Sequence, residues 1–238
     1  MTNLKEKILK TVVLLLSIIS ITTTMSFAMT PMFRYKAIRA PRMKYYIQNG
    51  DSNVFQQNKH ITSAINNWEH TGHGYNPLYF TRSSSSRGTA IDFYQERQNF
   101  FRDDDTLGLT LHYIGSSTKP IHPNEQNWLY AEVHLSLDTL APKPSYLAIQ
   151  GTIGHEIGHA LGLAHYNTNP DSIMCQTSEG RRAQTVQKCD NDAIKAAIRK
   201  IQSMSAEERE QMGMQGREAV LSKYTYENIA SEFEKVFE

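Results

Sequence analysis

Five short stretches of the chain carry apolar residues in strand-like patterns: MKYYIQ at 43–48, PLYFTR at 77–82, TAIDFY at 89–94, LGLTLHYI at 107–114 and LYAEVHLSL at 129–137. The last is the clearest. Leu129, Ala131, Val133, Leu135 and Leu137 fall on one side of a pleated strand and mostly polar residues on the other, which predicts a half-buried strand. Between the first two stretches the period changes. Ile61, Ala64, Ile65 and Trp68 recur at helical spacing and stop near Gly72 and Gly74, predicting a helix with one buried face. The polar loop from Ser83 to Gly88 connects two strands. Pro142 and Pro144 end the last strand, and a helix is expected from about Ser145 to Leu161. Another is expected over Asp190 to Ser203, where Ile194, Ala197, Ile198 and Ile201 repeat with helical period. Strands clustered between helices predict an α+β fold, a twisted, mixed five-stranded sheet with helices packed on one side.

The ends of the chain differ from this middle. Lys5, Lys7 and Lys10 precede an apolar run from Val12 to Ile21, and Ser26, Phe27 and Ala28 place small residues where a signal peptidase reads. Residues 1–28 are therefore expected to be a secretory signal, too short in its apolar run to span a bilayer. A short segment, 29–42, leads into a domain expected over 43–203. Ser205 with Glu208 forms a capping box that opens a charged helical tail, 204–238.

At 39% hydrophobic residues the chain can furnish a core. Removing the signal leaves acids and bases nearly balanced, which argues against nucleic acid as a partner and against stable membrane association after cleavage. The oligomeric state is not legible. Only two cysteines exist, Cys175 and Cys189. In an exported chain they are candidates for a disulfide closing a short loop.

The chemistry is concentrated at 155–165, HEIGHALGLAH. On a helix, His155 and His159 lie one turn apart on one face and can present two imidazoles to one ion. Gly162 can adopt the left-handed conformation that ends a helix, returning His165 as a third ligand. Three neutral imidazoles suit zinc and leave a fourth position for water, as in a catalytic site. Zinc lowers the pKa of a water it binds toward ~7, and Glu156 is placed to take that proton as the water attacks a carbonyl. A shuffled chain of this composition would show the full spacing roughly once in twenty thousand tries. A metal-free buried helix would leave three imidazoles and a carboxylate unpaired at high cost.

HEIGHALGLAH resembles the metzincin metallopeptidase motif, and Ser172-Ile173-Met174 resembles the methionine turn beneath the zinc in that clan. The phrase GHALGLAH and the distance to Met174 are most similar to matrixins, the matrix-metalloproteinase-like branch, in a bacterial form. The resemblance implies a metzincin-like sheet and a secreted zinc endopeptidase acting on protein or peptide substrates. His155, His159 and His165 would be the zinc ligands, Glu156 the general base and Met174 the turn residue. It further implies that LGLTLHYI is an edge strand to which extended substrate adds, and that the segment from Tyr166 to Arg182 shapes the pocket for the residue after the scissile bond. No cysteine precedes residue 175, so the family's inhibitory cysteine switch is not expected. Asp103, Asp104 and Asp105 offer oxygen atoms of the kind calcium takes, although such a run is usually a solvated loop. His70, His73, His112, His122 and His134 are scattered and suggest no second zinc site. The tail is similar to the final helices of two-domain retaining glycosyltransferases, yet no nucleotide-binding glycine loop accompanies it. The competing functional class is a noncatalytic binding module that keeps the zinc, against which Glu156 stands.

Overall fold

The computed structural model describes residues 42–48, 59–113, 119–123, 128, 130–143 and 145–208. The expected signal at 1–28, nearly all of segment 29–42 and the tail beyond 208 lie outside them. Five strands form one sheet: β1 (Arg42–Ile47), β2 (Tyr79–Arg82), β3 (Ile91–Glu96), β4 (Gly108–Tyr113) and β5 (Tyr130–Ser136). Their order is β2-β1-β3-β5-β4. All neighbours are parallel except β4, which runs antiparallel to β5 at one edge. Three helices, α1 (His60–Glu69), α2 (Tyr146–Ala160) and α3 (Lys188–Ser203), complete the α+β architecture. Each element matches its expected stretch within three residues at either end.

Register shows why the alternation was readable. Ile91 pairs with Ala131 and Phe93 with Val133, and Tyr45 and Ile47 continue the row on β1. These side chains are buried together with Leu135, and Ile149, Ile153 and Ile157 of α2 share their core. Trp68 of α1 lies in the same core and donates from Nε1 to Gly154 O at 2.9 Å, so one hydrogen bond sets where α1 crosses α2. Ser145 caps α2 by accepting from Ala148 N at 3.4 Å. The capping box after α3 is reciprocal, with Ser205 N donating to Glu208 Oε2 at 2.7 Å and Glu208 N to Ser205 Oγ at 3.0 Å.

The opposite face of the sheet is polar in sequence but not bare. A short 3-10 turn, Gln98–Phe100, brings the chain back over it. Phe100 stacks on His134 with ring centroids 4.4 Å apart, and Ser136 Oγ donates to Gln98 Oε1 at 2.9 Å. Asp92, on this face, is buried and accepts from the Thr89 hydroxyl. Burial, with the Glu132 carboxylate nearby, pushes its carboxyl up to about 6. A raised acid pKa means the folded state holds the proton more tightly than the unfolded chain. The penalty is absent below about pH 4, grows to its full size by about pH 6, and reaches at most about 3 kcal/mol. Asp92→Asn is therefore expected to raise the melting temperature at pH 8 and to raise it about half as much at pH 5. Equal gains at both pH values would remove the electrostatic explanation.

Candidate metal centre

Helix α2 carries its chemistry at its C-terminal end, where the chain must stop and turn. Gly162 supplies the left-handed residue, φ 94°, and the stop is a Schellman arrangement. Leu163 N donates to Gly158 O and Gly162 N to His159 O, both at 2.9 Å. His112 of β4 donates from Nε2 to the same His159 carbonyl at 3.0 Å, fixing the helix end to the sheet. Burial pulls the His112 imidazole down to about 4, keeping it neutral for that role.

The turn aims three imidazoles at one point. His155 donates from Nδ1 to Ile173 O at 2.8 Å and His159 from Nδ1 to Leu163 O at 2.7 Å. Because a carbonyl can only accept, these bonds place the protons on Nδ1 and leave both Nε2 lone pairs bare. His159 Nε2 lies 3.1 Å from His155 Nε2 and 3.1 Å from His165 Nε2. Ligand atoms on a zinc at about 2.0–2.1 Å stand only slightly farther apart in a tetrahedron. Lone pairs gathered this closely repel one another unless a cation lies between them, so the donor set fits zinc. Burial runs from His155, buried, to His165, exposed, which leaves the cluster open on one side.

Glu156 sits behind this opening. It is 5% exposed, and burial pushes its carboxyl up to about 7. Thr110 of β4 holds it, with Oγ1 2.7 Å from Glu156 Oε2 and 3.0 Å from Glu156 O. The strand approaches so closely that a methyl at Gly108 would stand 2.9 Å from Glu156 Cγ. Beneath the histidines, Met174 Sδ fills the space beside Gly158, 2.2 Å from where a Cβ would sit. The Met174 turn is held in turn by Asp190 of α3. This buried carboxylate accepts from Ser172 Oγ, from Ile173 N at 3.0 Å and from Gln187 N at 2.8 Å.

The structure thus brings together His155, Glu156, His159, His165, Gly162 and Met174, all named from sequence. Two expectations fare otherwise. Cys175 and Cys189 are free thiols and form no disulfide here. Cys175 is buried with Sγ directed at the carbonyls of Asn167, Gln176 and Glu179, whereas Cys189 Sγ accepts from Asn169 Nδ2 at 3.5 Å. Asp103, Asp104 and Asp105 are exposed and join no set of three close ligands, so calcium has no support there. No second metal group occurs among the described residues. Thr110, Gly108, Asp190 and Arg181, which also borders the cleft, were not singled out in the sequence, although the first two fall in the expected edge strand and Arg181 in the segment expected to shape the pocket.

A comparison with curated proteins gives no match. The sequence profile of the matrixin family matches residues 36–201, most of the chain, spanning the sheet, the three histidines and the methionine turn. With that match and a three-histidine cluster suited to zinc, the chain belongs to the matrixins, a family of zinc-dependent peptidases.

Proposed function

We propose that the protein is an exported zinc endopeptidase in which His155, His159 and His165 hold the metal and Glu156 is the general base. The observation that carries the reading is the convergence of three Nε2 atoms at 3.1 Å spacings next to a buried carboxylate, at the bottom of a cleft of about 610 Å³. Zinc, when bound there, supplies Lewis acidity toward a water molecule and a peptide carbonyl.

The remaining work falls to the chain. Strand β4 offers a docking edge. Leu107 O accepts from Ser136 N of β5, while His112 O accepts from Ile121 N on the outer side. By alternation, Gly108 and Thr110 turn their backbone N–H and C=O groups outward, where an extended peptide adds as a further strand. Thr110 holds Glu156 Oε2 and leaves Oε1 to accept the proton of the attacking water. As the water oxygen bonds to the carbonyl carbon and the C–N bond breaks, Glu156 returns that proton to the departing amine. A carboxyl pushed up to about 7 can both take and give a proton near neutral pH.

The test is cleavage of an unbiased peptide library by the purified protein, with and without a chelator. Internal cleavage is expected, abolished by chelation and partly restored by added zinc; cleavage that survives complete metal removal would exclude this chemistry. Export is supported by Lys5, Lys7 and Lys10 ahead of the apolar run and by the small residues ending at Ala28. Protein recovered from the medium of an expressing bacterium should begin at Met29. An intact N-terminus retained in the membrane fraction would refute it.

A further inference from the structure

The cleft beyond the histidines has a wall that the mechanism does not use. The segment after Met174 forms a 3-10 turn, Thr177–Glu179, and Gly180 reverses the chain with φ 81°. Arg181 is thereby returned to face α2, where its Nη2 donates to Thr152 Oγ1 at 3.1 Å. Thr152 lies one helical turn before Glu156, so Arg181 occupies the cleft alongside the catalytic carboxylate rather than at the outer rim. It is the only lysine or arginine among the described residues that line the cleft.

Among the described carboxylates, its charge meets only the longer-range attraction of Glu156, which forms no ion pair with it. No carboxylate forms an ion pair with Arg181 among the described residues, and its Nε is buried without a hydrogen-bond partner. Glu156, the nearest candidate, is held by Thr110 instead. Partly burying a guanidinium costs free energy that a neutral threonine hydroxyl recovers only in part. A carboxylate entering the cleft would recover it through a charge-assisted bond in a weakly screened site. Asp103 and Asp105 also border the cleft but are exposed, so water and salt weaken their repulsion of an acidic ligand.

We propose that Arg181 is a specificity-determining residue and that the cleft selects a peptide with an Asp or Glu side chain beside the bond to be cut. The proposal rests on the peptidase reading above and adds the substrate class to it. Arg181 is tethered through Nη2 and its Nε is closed off from solvent, so Nη1 is left to receive the substrate carboxylate.

The experiment uses the zinc-loaded full chain and one peptide scaffold in which each residue flanking the scissile bond is set to Glu, Asp, Gln, Leu or Lys. Glu or Asp at one flanking position is expected to raise kcat/KM over Leu by at least about tenfold. Arg181→Gln should collapse that Glu-to-Leu ratio, while Arg181→Lys keeps part of it because the charge remains but the fork is lost. Equal losses on all substrates, with the ratio unchanged, would assign Arg181 to positioning the loop and overturn the proposal. So would a wild type that prefers Leu at every position. Calorimetry separates this result from failure of the peptidase reading. Even if no peptide is cleaved, short peptides ending or beginning in Glu should bind the zinc-loaded chain at least about tenfold more tightly than their Leu counterparts. Equal affinities would refute the proposal.

Discussion

Glu156→Ala is expected to retain about one zinc per chain while turnover falls by 10² to 10⁴, the usual loss when a general base is removed. The separation follows from the geometry. His155 and His159 are oriented by their own Nδ1 bonds to Ile173 O and Leu163 O, and neither bond passes through Glu156. Removing the carboxylate also relieves a desolvation cost, so the folded state should not suffer. His159→Ala is the converse. It deletes the imidazole whose Nε2 stands 3.1 Å from both of the others, and two imidazoles hold zinc far less tightly than three. Metal analysis after dialysis, run beside peptide hydrolysis, distinguishes the two roles. A metal-replete Glu156→Ala protein that hydrolyses peptides as fast as the wild type would sink the mechanism.

The same geometry explains why the metal cluster was legible in the sequence and its surroundings were not. His155, Glu156, His159, Gly162 and His165 lie within three turns of chain, so a fixed helical repeat and one left-handed glycine turn spacing directly into position. The sheet was legible for a similar reason. Ala131, Val133 and Leu135 are fully buried, and the period of two along β5 records that burial. Thr110 reaches Glu156 across 46 residues of sequence, and no local pattern encodes which strand will form the edge beside α2. Arg181 reads as one of two adjacent arginines, yet Arg182 pairs with exposed Asp171 while Arg181 turns inward. The direction is set by Gly180, not by charge. The disulfide expectation failed on the same ground. Counting cysteines says nothing of which way a thiol points, and the turn that buries Cys175 aims it at the carbonyls of Asn167, Gln176 and Glu179. His134 fell on the polar side of the β5 alternation, and only the 3-10 turn folding back across it makes that face an interior.

Asp190→Ala is expected to be the most damaging substitution outside the metal cluster, because one carboxylate organises the whole methionine turn. Asp190 is 3% exposed and accepts from three donors: Ser172 Oγ, Ile173 N and Gln187 N. Ser172 Oγ in turn accepts from Met174 N at 3.0 Å. Alanine would strand these donors in a site with little access to water, at about 1–3 kcal/mol for each group left unpaired. After local relaxation a total of about 3–5 kcal/mol is expected for a broken buried network, a fall of roughly 6–20 °C in melting temperature for a domain of this size. The effect should also reach the metal, since Ile173, whose N–H Asp190 holds, offers its carbonyl to His155 Nδ1. A loosened turn frees the imidazole to rotate, and loss of such outer support commonly weakens metal affinity 10- to 100-fold. Asp190→Asn separates the two consequences. It keeps the volume and one acceptor oxygen, so much of the fold should survive, but its amide N–H₂ opposes a donor and the turn should still hold His155 less firmly. Chelator competition at a temperature where all variants are folded measures the zinc term, and thermal unfolding of the metal-free proteins measures the rest. If Asp190→Ala melted within 2 °C of the wild type and bound zinc equally well, the turn would be held by its own backbone bonds, and the carboxylate would be a bystander.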